Sequence, residues 1–227
     1  HRKRKLGADH PDTLVSMNNL ADGYRAAVKP DLSLPLFQEA AAGIEKRRFQ
    51  HEFAGRIVTN LITYHEHLLQ FDQAETWRRK WLAVVKERSG ADSAPYAAEL
   101  TALGLNLLQQ KKWTDAEPVL RECLALREKK QPDAWTTFNT QSLLGGALLG
   151  QKKYADAEPL LLKGYEGLKQ REKTIPPQAA TCIPEALDRL IALNSATNKP
   201  DEVKRWRAER AKYPSPKEVA PQPQQKK

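Results

Sequence analysis

The side chains best able to bind a metal ion in this 227-residue sequence are His65 and His67, which flank Glu66. Imidazole and carboxylate groups are common metal ligands. The apolar periodicity around them predicts a helix, however, and residues two apart on a helix point about 200° away from each other. We therefore expect His65 to pack in the core, His67 to lie near a groove, and no metal site to form.

The two cysteines, Cys123 and Cys182, are the next candidates for chemistry. Two are too few for a disulfide scaffold or for a zinc site built from cysteines. Cys123 lies on the predicted inner face of a helix, where a free cysteine behaves as a small hydrophobic residue. Cys182 lies in a predicted linker, with no neighbouring group that would activate its thiol.

The sequence contains none of the common catalytic motifs. There is no phosphate-binding loop, no GxSxG, no HExxH and no set of kinase motifs. A glycine-rich run at 145–150 falls in a predicted helix, where small residues allow a neighbouring helix to approach closely. We expect no catalytic residue and no cofactor in this chain, and hence no enzyme activity.

The chain is basic, with 37 Lys and Arg against 28 Asp and Glu, a formal charge of +9. Its cations cluster at the ends of predicted helices, where the helix dipole favours them. The five tryptophans lie near helix-packing positions, so the exposed aromatic residues of a nucleic-acid interface are not indicated. We expect an acidic protein partner rather than nucleic acid, although a basic array with salt-dependent binding stays an alternative.

The predicted helices recur along the chain at an almost constant interval. Small residues anchor five similar stretches, at intervals of 41, 42, 41 and 46 residues: Ser33, Ala74, Ala116, Ala157 and Val203. Apolar residues at steps of three and four precede each anchor, and this spacing predicts a first helix. A second helix is predicted to begin near the anchor, so that each unit is a pair of helices.

Capping residues support these helix starts. An aspartate or threonine stands two residues before four of the anchors, as an N-cap residue would; these are Asp31, Asp72, Thr114 and Asp201. Prolines follow three anchors by two residues and are predicted in or next to the first helical turn; these are Pro35, Pro118 and Pro159.

The pattern resembles tetratricopeptide repeats, in the form of about 42 residues that is found in kinesin light chains. The resemblance implies an all-α fold, an α-solenoid of stacked antiparallel helix pairs wound into a right-handed superhelix. The predicted array is 12–213, with helix pairs at 12–50, 52–89, 94–130, 133–173 and 179–213. Residues 1–11 are predicted to end a preceding repeat and include a linker, and 214–227 to form a disordered Pro, Gln and Lys tail. Because the chain begins with His1, we expect a fragment of a longer protein or a processed one.

The resemblance also implies a concave groove, lined by the first helices, in which an extended peptide lies. A small polar residue stands fifteen positions before each anchor: Asn18, Thr59, Thr101, Ser142 and Asp188. Neighbouring candidates are Asn19, Asp22, Arg25, Asn60, Thr63, Glu66, His67, Asn139 and Arg189. Such a ladder could hydrogen-bond a peptide backbone, or it could consist of ordinary solvated positions, and both interpretations stay open.

The predicted function is a non-enzymatic scaffold that binds a protein or peptide in this groove. The sequences of segments 117–130 and 145–173 also resemble the C-terminal repeats of large bacterial serine/threonine protein kinases. The alternative is therefore a partner-recruiting array whose kinase domain lies upstream. No run is apolar enough to cross a membrane, and we expect a cytoplasmic protein; the pattern predicts no particular oligomeric state.

Overall fold

The computed structural model describes residues 2–213, which form eleven α-helices and no β-strand in that range. The helices are α1 Arg2–Leu6, α2 Pro11–Ala26, α3 Pro30–Lys46, α4 Ala54–His67, α5 Phe71–Ser89, α6 Ala94–Gln109, α7 Trp113–Lys130, α8 Trp135–Gly150, α9 Tyr154–Gln170, α10 Cys182–Ala196 and α11 Pro200–Arg210. Two 3₁₀ turns, Glu172–Thr174 and Pro177–Ala179, lie between α9 and α10. The predicted all-α class is confirmed. The predicted tail, 214–227, and His1 lie outside the described residues.

The helices belong to two compact units, one ending at Gln110 and the other starting at Lys111. In the first unit, α2 packs on α3, α3 on α4, α4 on α5 and α5 on α6, and α2 also contacts α4. In the second unit, consecutive helices from α7 to α11 pack in the same way, and α8 also contacts α10. Contacts are thus between neighbours in sequence, as in a solenoid of stacked helix pairs.

The same turn joins the two helices of every repeat. One residue in each turn has a left-handed backbone, with φ between 55° and 62°: Val28, Leu69, Lys111, Lys152 and Asn198. Each lies five residues before the anchor of its repeat, so the turns recur with the period of the sequence. The residue after Val28 closes the preceding helix, because the Lys29 amide donates to the carbonyl of Tyr24 at 3.0 Å.

The second helices begin earlier than the capping pattern predicted. Asp31, Asp72, Thr114 and Asp201 each occupy the second helical position, so their prediction as N-cap residues is wrong. The actual N-cap residues make no side-chain cap hydrogen bond in these helices. The left-handed turn fixes the start of each helix through the backbone, and an aspartate in the first turn is still favoured by the helix dipole.

Two further predictions of local structure are corrected by these bounds. Pro35, Pro118 and Pro159 lie inside their helices, at the sixth residue rather than in the first turn. Helix α2 begins at Pro11, inside the segment 1–11 that was predicted to precede the array, because the His10 imidazole accepts a hydrogen bond from the Asp12 amide at 3.2 Å.

The anchors and the glycines hold the helices close together. Ser33, Ala74 and Ala157 are fully buried, so only a small side chain fits where α2 meets α3, α4 meets α5, and α8 meets α9. A Cβ atom on Gly164 would lie 2.7 Å from the backbone nitrogen of Ser142. Helices α8 and α9 are therefore in near-backbone contact, as the glycine-rich run of α8 predicted.

Candidate functional site

Two members of the predicted polar ladder are buried and hydrogen-bonded inside the fold. Asn18 is 1% exposed, and its Oδ1 accepts from Nδ2 of Asn60 at 3.1 Å. Ser142 is fully buried, and its Oγ accepts from Nη1 of Arg189 at 3.1 Å. Each pair joins the first helices of adjacent repeats. The prediction that Asn18 and Ser142 face a ligand is therefore wrong, because these helices lie too close together to leave them open.

The Glu66 side chain is also hydrogen-bonded to neighbouring helices. Its carboxylate accepts two hydrogen bonds from Arg78, from Nε and Nη2, both at 2.8 Å. A third comes from Nδ2 of Asn106 at 3.2 Å. The bidentate pair ties α4 to α5, and the amide ties α4 to α6. Both carboxylate oxygens have partners within the protein, and the role of Glu66 as a ligand-binding residue stays a prediction.

The remaining candidates on α4 form one exposed row. Arg56, Thr59, Thr63 and His67 follow each other at steps of three and four residues, so they share a face of the helix, and all four are exposed. We call these four residues the α4 stripe. Exposed Asn19 of α2 lies beside it, with its Oδ1 3.5 Å from Nη2 of Arg56. Sequence reasoning missed Arg56, although its spacing from Thr59 was available as a signal.

The other candidates in the first unit are held by local hydrogen bonds. Asp22 and Arg25 form an ion pair with each other at 2.8 Å near the end of α2. Thr101 on α6 is half-buried, and its hydroxyl donates to the carbonyl of Ala97 at 3.0 Å. These side chains are satisfied without a ligand, and the structure does not bring Thr101 into the α4 stripe.

The candidates in the second unit lie on α8 and α10. Asn139 is half-buried, and exposed Asp188 accepts from Nε of Arg210 at 2.9 Å. Arg189 donates to Glu185 at 3.3 Å, in addition to Ser142, and burial lowers the pKa of its guanidinium. We infer that Arg189 has mainly a packing role between α8 and α10.

The residues that could have done metal or thiol chemistry are placed as follows. His65 is 2% exposed and lies in the core as predicted. Its Nδ1 is 2.7 Å from Oε1 of Gln70. Within residues 2–213, no three His, Cys, Asp or Glu side chains come together as a metal site. Cys123 is fully buried, as predicted. Cys182 opens α10 rather than lying in a linker, and burial raises the pKa of its thiol to about 11.

The basic ends of the second helices have structural partners. The guanidinium of Arg88 donates to the carbonyl of Phe49, in the linker before α4. Arg171 donates to the carbonyl of Asp133, before α8, and its guanidinium lies 4.2 Å from the ring centroid of Phe138. These cations therefore tie the end of a second helix to the segment just before the first helix of the same pair. Within residues 2–213, each helix is too short or too polar to span a bilayer.

Comparison with known proteins identifies the fold. Residues 100–130 match the sequence model of the tetratricopeptide repeat. The kinesin light chain nearly identical TPR-like repeats of Podosopora anserina superpose with a TM-score of 0.64 at 16% identity, over 89% of this chain and 95% of theirs. BtubC (BKLC) from P. vanneervenii superposes with a TM-score of 0.64 at 17% identity, over 92% of this chain and 86% of its own.

A third structure, MamA from Desulfovibrio magneticus RS-1, has a TM-score of 0.59 at 15% identity, over 88% of this chain and 93% of its own. No curated protein matches the chain in sequence. At these identities the structural likeness shows the fold. The resemblance drawn from the period and the anchors is confirmed: this chain has the fold of the kinesin-light-chain type of tetratricopeptide repeat.

Proposed function

We propose that this chain is a non-catalytic scaffold whose α4 stripe, together with Asn19, binds an extended acidic segment of a partner protein. The observation that carries the proposal is the α4 stripe itself, a row of exposed polar side chains on a helix held in place by buried hydrogen bonds. Asn18–Asn60 and Glu66–Arg78 fix α4 against its neighbours. A surface that is already ordered loses little conformational entropy on binding.

The chemistry of the stripe favours a carboxylate-bearing peptide. Thr59, Thr63 and Asn19 offer hydroxyl and amide groups that can pair with a peptide backbone. Arg56, whose guanidinium lies 4.8 Å from the ring centroid of Phe53, offers a fork of donors that suits a carboxylate. His67 adds an imidazole N–H that can donate a hydrogen bond to a carboxylate.

The test is binding of peptides selected for this protein from a displayed library of ten-residue sequences. Fluorescence anisotropy would compare the full chain with the variants Arg56→Gln and Thr63→Ala. We expect acidic peptides to be selected and Arg56→Gln to weaken them by about tenfold, the loss of one charge-assisted hydrogen bond. The control is Thr76→Ala, an exposed threonine on α5.

Selected peptides that bind both variants as tightly as the unchanged chain would refute this site. The kinase-linked array and a cytoplasmic location stay predictions. The nucleic-acid alternative also stays a prediction, although two cations at the basic helix ends, Arg88 and Arg171, are hydrogen-bonded within the fold.

A further inference from the structure

The second unit carries a groove away from the residues discussed above, between α9 and α11 and above α10. It encloses a cavity of about 400 Å³. Its apolar lining is supplied by Leu162 of α9, Leu190 and Leu193 of α10, and Trp206 of α11. We call it the α9–α11 groove. A cavity of this size with apolar residues in its lining can receive a side chain.

The rim of this groove carries three glutamates against two cations, Lys199 and Arg205, in a chain whose net charge is +9. Glu158, Glu166 and Glu202 lie around the apolar lining, and an adjoining cavity of about 230 Å³ adds Glu209. Lys199 pairs with Glu158 at 2.6 Å. Exposed Glu166 has no cationic partner among residues 2–213. The groove therefore offers a carboxylate that is ready to pair with a cation.

Trp206 adds an unmet hydrogen-bond donor. Its side chain lines both cavities and is 5% exposed, yet its Nε1 has no acceptor within residues 2–213. Buried indole N–H groups usually find a partner, and leaving one unpaired is costly. Because Nε1 is itself buried, a shift of the Trp206 ring on binding would be needed to bring it an acceptor such as a peptide carbonyl.

The groove already accommodates a guanidinium. Arg205 places its Cζ 4.5 Å from the centroid of the Trp206 ring, a cation–π arrangement, and pairs with Glu202 at 3.3 Å. The Arg205 side chain is 66% exposed, so an exposed ion pair holds it only weakly. It is placed where an incoming cation could replace it.

We propose that the α9–α11 groove binds an arginine side chain of a partner protein. The incoming guanidinium stacks on Trp206 in place of Arg205 and pairs with Glu166, while its aliphatic stem covers Leu162. The Trp206 ring shifts on binding, and its indole N–H donates to a carbonyl of the same peptide. The choice of occupant rests on charge complementarity, since an acidic rim around an aromatic ring suits arginine better than any other side chain.

This groove is specific to the last repeat pair. One period of 41 residues before Leu162 stands Arg121, and 41 before Glu166 stands Ala125. The preceding pair of second helices thus lacks both the apolar residue and the free carboxylate. The site also lies on different helices from the α4 stripe, so it does not depend on the proposed function.

The test follows the indole N–H resonances of the full chain by ¹H–¹⁵N NMR, with the peptide Ac-Gly-Ser-Arg-Ser-Gly-amide as probe. The Trp206 signal is assigned from Trp206→Phe. We expect this signal to move on titration, as its donor gains an acceptor. Glu166→Gln should weaken binding by about fivefold, and Arg205→Ala should strengthen it by about the same factor, because a competing internal cation is removed.

The control variants are Glu52→Gln, at an exposed carboxylate of the first unit, and Thr63→Ala in the α4 stripe; both should bind the probe like the unchanged chain. Glu166 is exposed, so its variant tests binding without risk to folding. A Trp206 signal that stays in place, an unchanged affinity in Glu166→Gln, or a weaker one in Arg205→Ala would overturn the proposal. Acidic peptides that bind Thr63→Ala as tightly as the unchanged chain would concern only the proposed function.

Discussion

Glu117 is the residue whose charge we expect to stabilise the second unit most. Its carboxylate accepts from Gln151 at 2.8 Å, from Lys153 at 2.9 Å and from Arg121 at 2.9 Å. These bonds, the one from Lys153 first, lower the pKa of Glu117 to about 2 from a usual 4.5. The carboxylate therefore links α7 to the end of α8 and to the start of α9.

The substitution Glu117→Gln keeps the shape of the side chain and removes its charge. The carboxylate is 16% exposed, but Lys153 and Arg121 are 45% and 54% exposed, so each ion pair contributes only about 0.5 kcal/mol. Weakening the charge-assisted bond from Gln151 adds about 1 kcal/mol. We expect the free energy of unfolding to fall by about 2 kcal/mol at pH 7.

The pH dependence gives the sharper test. Because the pKa of Glu117 is lower in the folded chain, its contribution is complete above pH 4.5 and is lost as the pH falls toward 2. Urea unfolding followed by circular dichroism at several pH values should show the two proteins converging over that range. Glu52→Gln, at an exposed carboxylate outside this cluster, is the control. A difference that is absent at pH 7, or that stays constant down to pH 3, would refute the reasoning.

Three further outcomes are expected. Val28 is β-branched and 84% exposed, and its backbone is left-handed. Val28→Gly should therefore raise the free energy of unfolding by about 1 kcal/mol, measured by urea unfolding. A lower free energy of unfolding in Val28→Gly would contradict the turn geometry. Gly164→Ala should lower the free energy of unfolding by about 2 kcal/mol, because its Cβ would meet backbone atoms of α8. Gly23→Ala, with open space around its Cβ, should not destabilise α2. Cys182, with its pKa raised by burial to about 11, should resist iodoacetamide at pH 8 until urea unfolds the chain; rapid labelling of the native protein, measured by mass spectrometry, would contradict this.

The repeat and its helices could be predicted because their causes are local. A buried helix face needs apolar residues at steps of three and four, and a tight helix crossing needs a small residue such as Ala74 or Ala116. Both requirements appear directly in the order of residues. The same holds for His65 and Cys123, since their positions on the apolar face placed them in the core.

The helix starts could not be predicted with equal success. Asp31 and Thr114 match the composition of an N-cap, but the left-handed residues Val28 and Lys111 determine where the next helix begins. Neither valine nor lysine favours that conformation by itself. For Val28, it is imposed by the packing of α2 against α3, which no local pattern reports.

The polar ladder shows most clearly what each level decides. By itself the sequence determined that a small polar residue recurs at one position of the first helices, as Asn18, Thr59, Ser142 and Asp188. The tertiary structure decided that Asn18 and Ser142 are buried while Thr59 and Asp188 are exposed. The physical reason is that burial depends on a partner from another repeat, 42 residues away for Asn18 and 47 for Ser142. Equivalent positions in the sequence therefore have different neighbours in space, and only the exposed ones are left to bind another molecule.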